Sequence, residues 1–338
     1  MRPQSTDHFL ELIDRFSGKR MLVMGDLMLD EFISGRVSRI SPEAPVPVVN
    51  VTRETYYPGG AANVARNLRE FTQEISVAGV AGTDAAGERL LQLLGAAKIR
   101  TTGTLRDPDA VTTVKTRVIA RNQQVVRVDR ERPKALAQEQ LAEITHYLER
   151  AVPEVDGIIV ADYGKGFVTQ PLADEVCRLA RAHRKILTVD PHPHTCLTWR
   201  GVTAIKPNRL ELFSAARLPA TEPVEPVSND QALLDAARCL RSVWQSESLL
   251  VTLGDQGMLL FEGEQAPLHL AARAREVFDV SGAGDTAVAV FTLGLVSGAT
   301  PSEAAELANR ASGIVVGKFG TATVTYEDLA AAFRAPNS

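Results

Sequence analysis

Apolar residues along this chain recur in two rhythms that take turns. Short runs rich in Val, Ile and Leu predict buried strands: "RMLVMGD", "ISVAGVAG", "DGIIVAD", "KILTVD", "VTAIKPN" and "SLLVTLG". Elsewhere the apolar residues return every three or four positions, as in "DHFLELIDRF", "ANVARNLREF", "AAGERLLQLLGAA", "QPLADEVCRLARAHR" and "SNDQALLDAARCLRSVW". That spacing gathers apolar side chains on one face of a helix. Strand–helix alternation predicts an α/β fold: a doubly wound, mostly parallel sheet flanked by helices.

Two segments break the alternation. Residues 32–55, "FISGRVSRISPEAPVPVVNVTRET", and 111–130, "VTTVKTRVIARNQQVVRVDR", are β-branched with no helix between their strands. They are expected to form a small β-sheet lid on one domain spanning 1–338; a pair of irregular surface loops is the alternative. "LPATEPVEPVSND" reads as a Pro-rich loop, because strands of the same sheet continue after it. "TAVAVFTLGLVSGA" is too short for a bilayer, which takes about 20 apolar residues, and reads as a buried helix.

The composition, 45% hydrophobic and 23% charged, is that of a globular chain with ample core. A net charge of -4 excludes broad nucleic-acid binding, so any phosphate site must be a local cluster. The N-terminal stretch has no signal-peptide core, and Cys177, Cys196 and Cys239 form no CxxC. These features predict a soluble, cytoplasmic protein with no membrane and no nucleic-acid partner.

Chemistry first shows in "VFDVSGAGDTAV". Gly282 to Ala287 satisfies the G-x-G-x-x-G/A string of a dinucleotide turn. The string lies in the last fifth of the chain, however, and the next element is a helix opened by Thr300, Pro301 and Glu303 rather than a strand ending in an acid. Asp285 would also aim a negative charge at a pyrophosphate. The backbone N–H groups of Gly282, Ala283 and Gly284 at a helix start make an anion cradle instead, with Asp285 placed as a base. A plain capped helix start is the competing reading. "YPGGAANVARNL" puts Gly60 directly before a helix and Asn63 in its first turn, and "GDLMLD" supplies Asp26 and Asp30, carboxylates suited to sugar hydroxyls. "GIVVGKF" fails the P-loop spacing.

"PGGAANVA" early and "DVSGAGD" late, with "KPNRLE" and "VTLGDQG" between them, resemble the signatures of the ribokinase-like carbohydrate kinase family over essentially the whole chain. "GDLMLDEF", "SRISPEAPVPVV", "RNQQ", "ADYGKG" and "GKFGTATV" are similar to its heptose-phosphate branch. The resemblance implies ATP-dependent phosphorylation of D-glycero-β-D-manno-heptose 7-phosphate at O1, toward lipopolysaccharide precursors. It implies Asp285 as catalytic base and Gly282 to Gly284 as anion hole. Asn208 and Glu211 would face Mg²⁺ and the ATP phosphates, the Glu through water. Thr252, Gly254 and Gly257 would line the nucleotide site, with Asn309 close to the adenine. Asp26, Asp30, Gly60 and Asn63, joined by Asp162, would hold the sugar. The loop around Asp279 and the "GKFGTATV" segment would form a monovalent-cation (K⁺) site.

In relatives a partner's lid covers these sheet edges, which implies a homodimer through 32–55 and 111–130. Because the chain stops after "YEDLAAAFRAPNS", the resemblance further implies a separate adenylyltransferase acting later. Ser281 replaces the family's usual Thr and keeps its hydroxyl; His192 stands where the branch carries Lys. His192 and His194 as metal ligands are the weaker reading. The remote phosphate is expected on Lys115, Arg117 and Arg121, which share one face of a strand by period two, with Asn122 beside them and Lys165 at the rim. Another sugar or nucleoside kinase, or a kinase-fold protein without turnover, are the rival readings.

Overall fold

The computed structural model describes residues 6–121, 123–193, 195, 197–273, 280–318 and 320–335. In chain order the first half runs α1 (Thr6–Asp14), β1 (Arg20–Gly25), β2 (Leu27–Ile40), β3 (Pro47–Gly60), α2 (Ala61–Arg69), β4 (Glu74–Gly82), α3 (Ala85–Ala96), β5 (Arg100–Asp107), β6 (Thr113–Ala120), β7 (Gln123–Arg130) and α4 (Gln138–Ala151). It continues through β8 (Gly157–Ala161), α5 (Gln170–Ala182), β9 (Ile186–Asp190), β10 (Ala204–Ile205), α6 (Arg209–Ala215), α7 (Gln231–Trp244), β11 (Ser248–Thr252), β12 (Met258–Glu262), β13 (Leu268–Leu270), α8 (Ala283–Val296), α9 (Pro301–Val315) and α10 (Tyr326–Arg334).

The main sheet is mostly parallel, in the order β13-β12-β11-β10-β9-β8-β1-β4-β5, with antiparallel pairing only at β11-β12-β13. Its central strands are largely apolar because both faces are covered, with Ser76 on β4 and Thr188 on β9 as buried polar exceptions. Alternation along β1 sends Met21 and Val23 into a core shared with α2, α8 and α9, and Leu22 and Met24 into one shared with α4, α5 and α7. Helix α8, apolar all round, is buried at every position from Thr286 to Gly294. The doubly wound α/β expectation is met.

A second, four-stranded sheet has the order β3-β2-β6-β7. Strands β2 and β3 begin and end closer to the main sheet than the β-branched pattern predicts. Leu27 pairs with Gly60 and Asp30 with Tyr57, which carries Asp30 onto the small sheet. Strand β7 is exposed along its length, with Val125, Val126 and Val128 open. The strands β5, β12 and β13 are not anticipated from the sequence pattern. β5, "RTTGTLRD", is an edge strand whose polar residues hide its period. Among the described residues, no helix is long and apolar enough to cross a membrane.

Candidate active site

The start of α8 lies against the start of α2. Gly282 caps α8 at φ 81°, a left-handed conformation that glycine adopts freely, and a Cβ there would stand 3.1 Å from Asn63 Nδ2. Asp285 follows in the first turn. Asn63 Nδ2 donates to its Oδ2 at 2.6 Å, and the Tyr163 hydroxyl donates to its Oδ1. Asn67 ties the two helices: its Nδ2 donates to Asn63 O at 2.9 Å, and its Oδ1 accepts from Thr286 Oγ1 at 2.8 Å. Gly60 turns the chain into α2 at φ 57°, with room only for hydrogen, since a Cβ would meet Asp26 O at 2.5 Å. Asn63 Oδ1 is buried and accepts no hydrogen bond among the described residues. Of the expected cradle amides, Ala283 N–H turns back to Val280 O at 3.3 Å.

Burial pushes the Asp285 carboxyl up to about 6, against the hydrogen bonds from Tyr163 and Asn63 that favour its charged form. Asp190 adds to the rise and Lys206 opposes it. Lys206 is 4% exposed, with Nζ 3.0 Å from Asp190 Oδ1, and it lies 3.5 Å from where a Cβ on Gly284 would stand. A buried ammonium thus sits beside the α8 start. Burial disfavours its charge, but Asp190 and Glu211 together hold it above the ordinary lysine range. Burial likewise lifts Asp190 to about 6 despite Lys206. Sequence reasoning passes over Lys206, Asp190 and Tyr163. Their one local signal is position, since Asp190 ends β9, Lys206 follows β10 and Tyr163 follows β8, where α/β sheets hold ligands.

Asn208 and Glu211 form a reciprocal cap on α6: Asn208 Oδ1 accepts from Glu211 N at 2.9 Å, and Glu211 Oε2 from Asn208 N at 2.7 Å. Burial raises the Glu211 pKa, and Lys206 works against the rise. Thr252 bridges to Asn208. Gly254 and Gly257 both have positive φ, and a Cβ on Gly257 would meet Leu270 O at 2.1 Å. Asn309 on α9 is buried and donates to Ala271 O at 2.8 Å. No group of three or more His, Cys, Asp or Glu among the described residues is arranged to hold a metal alone. Asp190 and Glu211 nevertheless outnumber Lys206. A hard divalent cation fits there only with phosphate oxygens and water completing its shell.

The sugar-side residues divide. Asp26, expected as a sugar ligand, spends its carboxylate on the 163–167 loop: Oδ2 accepts from Tyr163 N at 2.9 Å and Lys165 N at 3.0 Å, and Oδ1 from Phe167 N at 3.1 Å. It is a clamp for that loop. Asp162 beside it accepts from Thr195 Oγ1 at 2.6 Å and Gly164 N at 2.9 Å, and burial raises it to about 6. Asp30 fits against Gly59, where a Cβ would meet its Oδ2 at 2.5 Å, and it accepts from Arg117. Arg117, expected as a phosphate fork, is therefore a counter-ion, and it also lies 5.2 Å from the centre of the Phe32 ring.

Arg121 does not share the strand face with Lys115 and Arg117. Strand β6 ends at Ala120, and Arg121 turns away at φ 51°, exposed, its Nη2 3.5 Å from Val37 O. Lys115 is half-buried with no ion pair among the described residues; burial, then the charge of Lys165, lowers its pKa. Lys165 Nζ lies 2.7 Å from Glu131 and borders a cavity of about 50 Å³ with Asp26, Arg132, Lys134 and Phe167. A larger cavity, about 340 Å³, is lined by Trp199, Trp244, Arg217 and His192, and does not include Asp285. Asn122, His194, Cys196 and Asp279 lie outside the described residues. In the "GKFGTATV" segment, Lys318 Nζ pairs with Asp328 at 2.7 Å.

Residues 19–328 match the pfkB family of carbohydrate kinases. The chain is 44% identical over 320 residues to the Bifunctional protein HldE of Desulfatibacillum aliphaticivorans, covering 94% of this chain and 64% of that one. It thus spans less than two thirds of the relative's length. Its fold is similar to Arabidopsis thaliana ribokinase complexed with ribose and ATP (TM-score 0.70, 16% identity, 94% of this chain and 99% of that one). The same holds for phosphofructokinase-2 from Escherichia coli in complex with potassium (TM-score 0.72, 20% identity, 94% and 98%).

Proposed function

The chain belongs to the pfkB family of carbohydrate kinases, enzymes that pass a phosphoryl group to an alcohol, and on that premise we propose that it phosphorylates D-glycero-β-D-manno-heptose 7-phosphate at O1 with ATP. The observation that carries the chemistry is Asp285, a part-buried carboxylate at a helix start, oriented by Asn63 and Tyr163 and flanked by Lys206. The sugar O–H gives its proton to Asp285 as its oxygen attacks the γ-phosphorus of ATP, and the bond from that phosphorus to the β–γ bridging oxygen breaks, releasing ADP. Lys206 and the N-terminal amides of α8 offset the charge that builds on the transferring group. Mg²⁺, held by Glu211 through water, would supply further neutralisation of the ATP phosphates. The unsatisfied Asn63 Oδ1 is an acceptor waiting for a sugar hydroxyl.

A phosphorylated sugar is favoured by Lys115, half-buried with no ion pair among the described residues, and by neighbouring Lys165, whose charge Glu131 offsets only in part. They replace Arg117 and Arg121 as the phosphate holders in this reading. The heptose itself rests on the motif resemblance, to which the bifunctional relative adds support. The small sheet acts as the lid. Its open Val125, Val126 and Val128 suit a second copy, giving a homodimer.

ADP release across both heptose 7-phosphate anomers, fructose 6-phosphate and ribose tests the reading. The β-heptose phosphate should give the highest kcat/KM. A preference for an unphosphorylated sugar would overturn it, and fructose 6-phosphate in first place would replace the heptose.

A further inference from the structure

Tyr163 lies within the "ADYGKG" stretch but carries none of the roles drawn from the motifs, yet its hydroxyl meets the base directly. The Asp285 carboxylate has two side-chain donors among the described residues, Asn63 Nδ2 on Oδ2 and Tyr163 OH on Oδ1. Asn63 is fixed by helix α2. Tyr163 is fixed differently, because it follows β8 on a loop with no regular hydrogen bonding of its own. What holds that loop is Asp26, which takes N–H bonds from Tyr163, Lys165 and Phe167. Asp26 is in turn anchored by its main chain, its N–H donating to Ala161 O at 3.2 Å and its carbonyl accepting from Ala61 N at 3.0 Å. A continuous chain of contacts therefore runs from the β1 end, through a buried carboxylate and a loop, to the base.

We propose that Tyr163 is a positioning residue for Asp285: clamped by Asp26, it fixes the carboxylate's orientation and favours its ionised form, leaving its remaining lone pairs for the acceptor hydroxyl. This rests on the reading of Asp285 as the base. The groups facing Asp285 are Tyr163 from the loop, Asn63 from α2, Asp190 from β9 and Lys206 after β10; Glu211 on α6 acts on Tyr163 and Lys206. Of these, Asp190 opposes ionisation of Asp285, while Tyr163, Asn63 and Lys206 favour it. A phenol donating to a carboxylate stabilises the charged form, so removing the hydroxyl must raise the carboxyl's pKa.

The test is Tyr163→Phe, which keeps the ring and removes the donor. The carboxyl carbon of Asp285 is followed by NMR titration of protein labelled at Asp, with Asp285→Asn identifying the resonance. In Tyr163→Phe the midpoint should move up by roughly one pH unit. With heptose 7-phosphate and ATP, the acid limb of kcat should move the same way, kcat should fall at least several-fold, and KM for ATP should hold. Asp26→Asn, which weakens the clamp without touching the base, should shift the limb in the same direction by less.

An unmoved midpoint in a folded Tyr163→Phe protein overturns the proposal, as does a kcat loss with no change in the acid limb. If Asp285→Asn retains turnover, the base assignment itself has failed. The NMR midpoint still reports on Tyr163 in that case, so the two failures are told apart.

Discussion

Arg117 Nη1 lies 2.5 Å from Asp30 Oδ1, across the parallel strands β6 and β2, and both side chains are largely buried. Removing one member of such a pair strands a charge, which costs roughly 3–5 kcal/mol. Arg117→Ala should therefore lower the denaturant midpoint strongly. Arg121→Ala, at an exposed turn, should stay within about 0.5 kcal/mol of wild type. Full stability in Arg117→Ala with only a raised sugar-phosphate KM would return Arg117 to the phosphate.

The base gives the pH profile its acid limb. Asp285 must be ionised to accept a proton, and burial places its midpoint at about 6. Turnover should be full well above that pH and fall away below it. Asp285→Asn should cut kcat by at least ~10²-fold with ATP binding, read by calorimetry, preserved.

Lys115→Met and Lys165→Met should each raise KM for the sugar phosphate, roughly tenfold for a lost charge-assisted contact. KM for ATP should not follow. Equal rises in both KM values would mean the lysines shape the site without touching the phosphate.

Asp162 offers a test on stability. Its folded pKa of about 6 is raised from the ordinary carboxylate value, so its contribution is present at low pH and lost as pH climbs through 6. Asp162→Asn carries no such loss. Between pH 4 and pH 7.5 its stability relative to wild type should improve by roughly 2–3 kcal/mol, measured by urea unfolding. A gap that stays constant with pH would show that Asp162 is not perturbed.

How far the sequence reveals this molecule depends on the range of the signal. Strands β1, β8, β9 and β11 announce themselves because burial on both faces makes their centres largely apolar, with Thr188 the polar exception inside β9. Gly282, Asp285, Gly60 and Asn63 are legible because glycine beside a helix start marks a backbone requirement locally. Arg117 keeps the strand face that period two predicts and differs only in its partner, Asp30, whereas Arg121 leaves the face altogether: period two holds only while the strand lasts, and no residue type warns that Arg121 takes a positive φ. Nor does any spacing rule announce that Tyr163, Asp190 and Lys206 end three separate strand connections beside one carboxylate. Helix α4 is a plain omission, since Ile144 and Leu148 stand four apart in its buried stripe.

The pairing of Asn63 with Asp285 spans 222 residues of chain. Helix α8, buried from Thr286 to Gly294, must slot between α2 and α9 before the base acquires that partner. Contacts of such separation form late, because the intervening loop must close first. During synthesis, a chain already displaying β1 through β11 still lacks its base altogether. In refolding, recovered turnover should therefore trail both the far-ultraviolet signal and tryptophan burial, which makes the first catalytic cycle a clock for the last docking event of the fold.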